Sequence, residues 1–211
     1  MHFLRFATFF LSGVSTSIAV SNSNCSNSTD IQVVQYASAI QAYSYLLYSS
    51  IPLNQTFFSS ASNSSNANYF INIQRMAQQN YRGALLVEIV GSNITGFKSP
   101  KCNFTSLTPA NATEFLNEAL YLETSLTGDF LELSGYTQTA EVSELINWLA
   151  VQHGTHSTYI ASFSQPVIFP PNGTSFVPIL PPEYVLGTGN EPYMLGQLLG
   201  KCVTAPKGPC S

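Results

Sequence analysis

Four stretches of the chain carry apolar residues at three- and four-residue steps, the spacing of one face of an α-helix. The first runs from Asp30 to Tyr48, where Val33, Tyr36, Ala37, Ile40, Tyr43, Tyr45 and Leu47 recur behind Asp30, a residue suited to capping a helix start. A Ser/Asn-rich run, Ser49 to Asn66, reads as loop. The second helix is expected over Ala67 to Val90, with Phe70, Ile73, Ala77, Tyr81, Ala84, Leu85 and Glu88 along one face and Gly91 past its end. The third opens at Thr108-Pro109, a cap residue followed by proline, and runs to Ser134 before Gly135. The fourth starts near Thr137 to Thr139, carries Glu141 and Glu144 in its first turns, and continues to about Phe163. Beyond it, Pro166, Pro170, Pro171, Pro178, Pro181 and Pro182 leave an irregular tail, with one short helix expected around Tyr193 to Leu199.

Four long amphipathic helices bury their stripes most simply against each other, so the pattern predicts an all-α four-helix bundle. The connection between the second and third helices sets its topology. Antiparallel neighbours need about two to eight residues, whereas Ser92 to Thr108 supplies 17. Extended, that segment could span about 55 Å, and a 24-residue helix is only about 36 Å long. The loop can cross the whole bundle, which gives a ferritin-like topology with a long crossover between helices 2 and 3.

The N-terminus sets the context. Met1 to Val20 reads as a secretory signal: Arg5, then Phe6, Ala7, Phe9, Phe10, Leu11 and Val14, then Ser17-Ile18-Ala19 as a cleavage site. The expected organisation is a signal peptide over 1–19, the bundle over 20–164, and a Pro-rich, disulfide-closed extension over 165–211 that packs on the bundle. No later segment is long and apolar enough to span a membrane. Only 9% of the 211 residues are charged, against 45% apolar, and the formal net charge is −4. Seven Lys and Arg residues cannot form a nucleic-acid footprint. Glycans would supply the missing hydration, because Asn-X-Ser/Thr acceptors stand at Asn24, Asn27, Asn54, Asn63, Asn93, Asn103, Asn111 and Asn172. Four cysteines without a Cys-X-X-Cys pair read as two disulfides and allow three pairings. Cys202 and Cys210 bracket a short Pro/Gly segment and can close locally, which leaves Cys25 with Cys102.

Several segments resemble one family. Asp30-Ile31-Gln32-Val33-Val34-Gln35-Tyr36-Ala37 with Gln41 and Tyr45, Phe115-Leu116-Asn117-Glu118-Ala119-Leu120-Tyr121-Leu122-Glu123, and His153-Gly154-Thr155-His156-Ser157-Thr158-Tyr159-Ile160 look like the first, third and fourth helices of secreted ferritin-like proteins common in fungi, often labelled stress- or desiccation-related. Phe176 to Leu186 is similar to the family's C-terminal segment. The resemblance implies a di-metal centre that takes one carboxylate from each of two helices and a Glu-X-X-His pair from each of the others. In this chain the helix-one carboxylate position is Gln41, and the helix-two motif reads Gln79-Asn80-Tyr81-Arg82, with Arg82 placing a fixed positive charge beside the cations. Glu123 is the one matching carboxylate, and His153-X-X-His156 stands where Glu-X-X-His would be. Three ligands remain of about six, so the di-metal centre is expected to be lost.

Val142, Leu145, Ile146, Leu149, His153, His156 and Ile160 form one stripe, so both imidazoles should point inward. Two readings follow. Either Glu123, His153 and His156 hold a single zinc, copper or iron ion, or they form a hydrogen-bonded polar layer satisfied by Glu123, Gln41 or tyrosine hydroxyls. The layer is preferred. Glu88, near a helix end, is expected to be solvated. No Gly-X-Ser-X-Gly occurs, and Asp30 and Asp129 are the only aspartates, which argues against a Ser-His-Asp mechanism. No phosphate-binding glycine loop is present. The sequence therefore predicts a secreted glycoprotein without catalytic activity, acting at the cell surface or outside it in stress protection or interaction, with a cell-wall or other extracellular partner. A metal-dependent oxidoreductase or metal-binding protein is the alternative. A wall-binding module using exposed aromatics of the C-terminal tail is the third.

Overall fold

The protein is described here from a computed structural model, which defines residues 29–59, 70–104, 108–164, 199 and 202–206. The expected signal peptide, the sequons at Asn24, Asn27, Asn63 and Asn172, Cys25, Cys210, the short helix before Leu199 and most of the Pro-rich tail lie outside these residues. Among the described residues the chain forms five helices and no strand: α1 (Asp30–Ser49), α2 (Gln55–Phe58), α3 (Phe70–Ser92), α4 (Ala112–Ser134) and α5 (Ala140–Ser164). Among the described residues, no helix is long and apolar enough to cross a membrane.

Capping fixes where these helices start. Thr29, not Asp30, caps α1: its hydroxyl accepts from the Gln32 amide, and the Gln32 side chain accepts from the Thr29 amide. Asp30 is thereby free for a longer reach. Its carboxylate accepts from the backbone amides of Gln138 (2.7 Å) and Thr139 (3.0 Å), just ahead of α5, where the helix dipole favours negative charge. Asn111 caps α4 by accepting from the Glu114 amide at 2.9 Å, so the helix begins three residues later than Pro109 suggests. Asn54 does the same for α2, a helical turn inside the expected loop. Through α2, Phe57 and Phe58 stand edge-on to Phe115, closing one end of the core.

The long helices pack as an all-helical bundle. Ser38 meets Glu88, Tyr45 meets Tyr81, and the Gln74 amide reaches the carbonyl of Leu53, so α1 and α3 run antiparallel. Tyr48 meets Phe115 and Glu123, while Tyr36 lies in the field of Asp129 and Glu132, so α1 and α4 are also antiparallel. It follows that α3 and α4 point the same way, so the end of α3 at Ser92 and the start of α4 at Ala112 lie at opposite ends of the bundle. Gly96 (φ 90°) turns the chain after α3 and lets Phe97 fold back onto Gly91. Gly91 is buried in the last turn of α3 and does not lie beyond it.

The buried face of α3 differs from the expected one. Ile73, Met76, Asn80, Gly83, Val87 and Val90 point inward. Tyr81, Arg82 and Leu85 point outward. Asn80 and Gly83 carry little hydropathy, so the apolar pattern was drawn toward Tyr81 and Leu85, roughly a quarter turn away. Glu88 is half-buried, not solvated, and accepts from Ser38 Oγ (2.5 Å) and Ser99 Oγ (2.9 Å). The expected Cys25–Cys102 and Cys202–Cys210 pairing also needs correction. Cys102 in the connection bonds Cys202, with Cα atoms 5.1 Å apart. The C-terminal segment returns to the bundle here: Leu199 and Pro206 are buried, and Val203 and Ala205 pack against the core.

Candidate functional site

At mid-height in the interior, four helices each contribute polar side chains that meet. Helix α1 supplies Gln41 and Tyr48, and α3 supplies Gln79 and Asn80. Helix α4 supplies Glu123, and α5 supplies Gln152, His153 and His156. Glu123, His153, Gln41 and Asn80 have no exposed surface, and His156 has almost none. The inward placement expected for both histidines is borne out, as is that of the apolar residues sharing their stripe.

Glu123 is the hub. Its Oε1 accepts from Tyr48 Oη (2.7 Å) and Asn80 Nδ2 (3.2 Å) and faces His156 Nδ1 at 3.2 Å. Its Oε2 faces His153 Nδ1 at 2.5 Å. Three of these contacts fall on Oε1 and one on Oε2. The outer nitrogens of the imidazoles are also engaged. Gln41 Nε2 donates to His153 Nε2 at 2.5 Å, which places the His153 proton on Nδ1. Gln79 Oε1 accepts from His156 Nε2 at 2.6 Å. One shell further out, Gln152 Nε2 donates to Asn80 Oδ1 at 2.9 Å, and Phe130 stacks on the His153 ring at 5.3 Å.

The electrostatics follow from this arrangement. Burial alone would raise the Glu123 carboxyl, but the charge and hydrogen bonds of His156 and His153 outweigh it and hold it well below the usual carboxylate range. Burial pushes His153 down, against the opposing pull of Glu123. Tyr48 is raised, first by burial and then by the carboxylate it donates to. The layer thus holds an anionic carboxylate supported by a neutral His153.

The expected ligand triad comes together: Glu123, His153 and His156 each place a ligand atom within 4.8 Å of the others. Two imidazoles and a carboxylate are a donor set that zinc accepts. The chemistry fits, but both Nδ1 atoms point at the carboxylate itself, within hydrogen-bond range of its oxygens. An ion would have to displace those bonds. Gln41 sits where expected, on His153. Arg82 does not, because it is exposed on the outside of α3 and carries no charge into the interior. Tyr48, Asn80 and Gln152 were missed. Tyr48 lies two helical turns beyond Gln41 on the same face of α1, a spacing that would have flagged it.

Of the sequons within the described residues, Asn54, Asn93, Asn103 and Asn111 are all exposed. Asn54 and Asn111 cap helices through Oδ1, the atom that N-glycosylation leaves in place. Comparison of the chain with protein-family models, with curated proteins and with solved structures finds no match in any of the three.

Proposed function

We propose that this chain is a secreted, glycosylated, ferritin-like four-helix protein without catalytic activity, acting outside the cell in stress protection or in interaction with an extracellular partner. The helix directions support the ferritin-like topology: two antiparallel pairs, with α3 and α4 parallel across a connection the length of the bundle. The observation that carries the non-catalytic reading is the enclosure of Glu123, which has no exposed surface and is contacted by four side chains of α1, α3 and α5. The layer's task is to fix helix register. Elemental analysis tests this on protein purified from culture medium and dialysed. Substoichiometric metal is expected, and one ion per chain would refute it.

A second reading rests on the convergence of Glu123, His153 and His156 within 4.8 Å. A single zinc, copper or iron ion would take His153 and His156 as imidazole ligands and Glu123 as its anionic one. Under this reading His153→Ala abolishes metal uptake while circular dichroism stays helical. Unchanged uptake would end it.

A further inference from the structure

Helices α3 and α5 run antiparallel along one side of the bundle. Asn72 meets Tyr159 at one end, Asn80 meets Gln152 midway, and Asn93 meets Glu141 at the other end. The outer edge of this seam carries apolar side chains. Trp148 lies one turn from Gln152 and two turns from Glu141, and Leu86 lies two turns from both Gln79 and Asn93, so both border the seam. Leu85 and Ile89 stand beside Leu86, and Val151 beside Trp148. All five are exposed, from 39% for Leu86 to 67% for Trp148 and 70% for Val151. Together they open about 550 Å² of apolar surface, near the upper end of the roughly 300–600 Å² that the largest patch on a monomer presents. Arg82 and Glu144 are exposed on the same side. The three contacts put Trp148 level with Leu85, Arg82 about one turn from that level, and Glu144 about one turn from it the opposite way. Neither Arg82 nor Glu144 has an ion-pair partner among the described residues.

We propose that this side of the bundle is the docking surface for a second copy of the chain, related by a two-fold axis that passes between Leu86 and Trp148 at right angles to the helices. Half a turn about that axis lays α3 of each copy over α5 of the other. Trp148 then falls on the partner's Leu85 and the partner's Leu86, and Arg82 falls on the partner's Glu144. Each contact occurs twice, as a closed two-fold interface requires. The area agrees with this occupant. A standard interface takes about 800 Å² from each partner, and one between like chains is about 65% apolar, which is an apolar share of about 500 Å². The patch supplies that share, and Arg82 and Glu144 add charges that become complementary when one copy is turned over the other. Among the sequons of the described residues, Asn54 and Asn111 cap α2 and α4 and Asn103 lies in the connection, while Asn93 stands at the foot of the seam. The surface depends neither on the Glu123 layer nor on a metal, and so goes beyond the reading given above.

Trp148 is the one tryptophan of the chain, so tryptophan fluorescence reads this surface alone. Sedimentation equilibrium on the purified chain, before and after enzymatic deglycosylation, should give the mass of two chains at micromolar concentration in both samples. On dilution, the Trp148 emission should move to the red and its quenching by acrylamide should rise as the dimer parts. Leu86→Glu places two carboxylates in the interface and should weaken association at least tenfold. Arg82→Glu and Glu144→Arg should each weaken it about two- to tenfold, and the double variant should recover most of that loss. All three positions are exposed, and helical circular dichroism of each variant is checked first. A chain that stays monomeric up to about 100 µM overturns the proposal. In that case free quenching of Trp148 would mean that nothing covers the patch, and shielding at every dilution that a segment of the same chain does. A dimer indifferent to Leu86→Glu, charge variants that do not rescue each other, or dimerisation of the deglycosylated chain alone overturns it equally.

Discussion

Replacing Glu123 by glutamine keeps its shape, removes its charge and turns one of its two acceptor oxygens into a donor. The carboxylate now serves four partners: Tyr48, Asn80, His153 and His156. With the new carbonyl on the side of Tyr48, Asn80 and His156, the new amide N–H₂ confronts His153 Nδ1–H across a 2.5 Å contact. The layer has one way out. His153 can move its proton to Nε2 if Gln41 turns its Oε1, a buried atom with no present partner, toward that nitrogen. A hydrogen bond to a charged group contributes about 1.5–3 kcal/mol, against about 0.5–1.5 for a neutral one. Losing the charge on both histidine bonds therefore costs about 2–3 kcal/mol. That falls at or below the roughly 3–5 kcal/mol of a broken buried ion pair, because the tautomer shift relieves the clash. For a chain of this size, such a loss lowers the melting temperature by about 4–12 °C. Urea unfolding of wild type, Glu123→Gln, Gln41→Leu and the double variant would measure it. Because Gln41 provides the escape route, its removal should cost more in the Glu123→Gln background, with a coupling of about 1 kcal/mol. A Glu123→Gln loss below about 1 kcal/mol, or strict additivity with Gln41→Leu, would refute the hub assignment.

Acid should destabilise the protein in two stages. His153 is depressed below its ordinary 6.5, so as pH falls through that value the unfolded chain takes up the proton first. Stability then drops by at most about 1.4 kcal/mol per pH unit. Glu123, also depressed, adds a second loss as pH falls through the ordinary carboxylate range, and His153→Asn should flatten the melting-temperature profile between about pH 7 and pH 5. Cys102→Ser opens a loop of 100 residues. The chain-entropy argument gives a loss of about 4.7 kcal/mol, measurable by urea unfolding, and an unchanged midpoint would mean the bridge does not constrain the unfolded chain. Gly91→Ala puts a Cβ 2.6 Å from the Phe97 ring. It should cost about 1–3 kcal/mol by overpacking, whereas Ala at exposed Gln78 should be nearly neutral in the same melting assay.

The helices were legible because their signals are local. Periodicity placed α1 and α5 to within about a residue, and the buried His153 and His156 followed from the α5 stripe. What escaped was decided by contacts between distant segments. Asp30 looks like a cap, but its carboxylate is used by the chain ahead of α5, more than 100 residues on. Cys202 has a near neighbour in sequence and bonds a distant one. In α3 the stripe broke where the inward positions are Asn80 and Gly83, which are there because Glu123 needs a donor and Gln41 needs space. A Cβ at Gly83 would lie 3.0 Å from Gln41 Oε1. Hydropathy reads such residues as outward-facing. The polar layer thus obscured the face that carries it.

The same layer bears on how a lightly charged bundle specifies one arrangement. Apolar stripes alone are tolerant, because sliding a helix by one turn, about 5.4 Å, re-buries much the same surface. The bonds to Glu123 are not tolerant. Tyr48 from α1, Asn80 from α3, and His153 and His156 from α5 must arrive at one height to reach a single carboxylate. A shift of any one helix would leave a buried donor unpaired, at about 1–3 kcal/mol or more where charge is involved. A buried polar or ionic cluster contributes little to stability against apolar packing of equal volume. Its effect here is to penalise every neighbouring register. The amides at positions 41 and 79 suit that role, because they hold the outer imidazole nitrogens without adding negative charge to the interior.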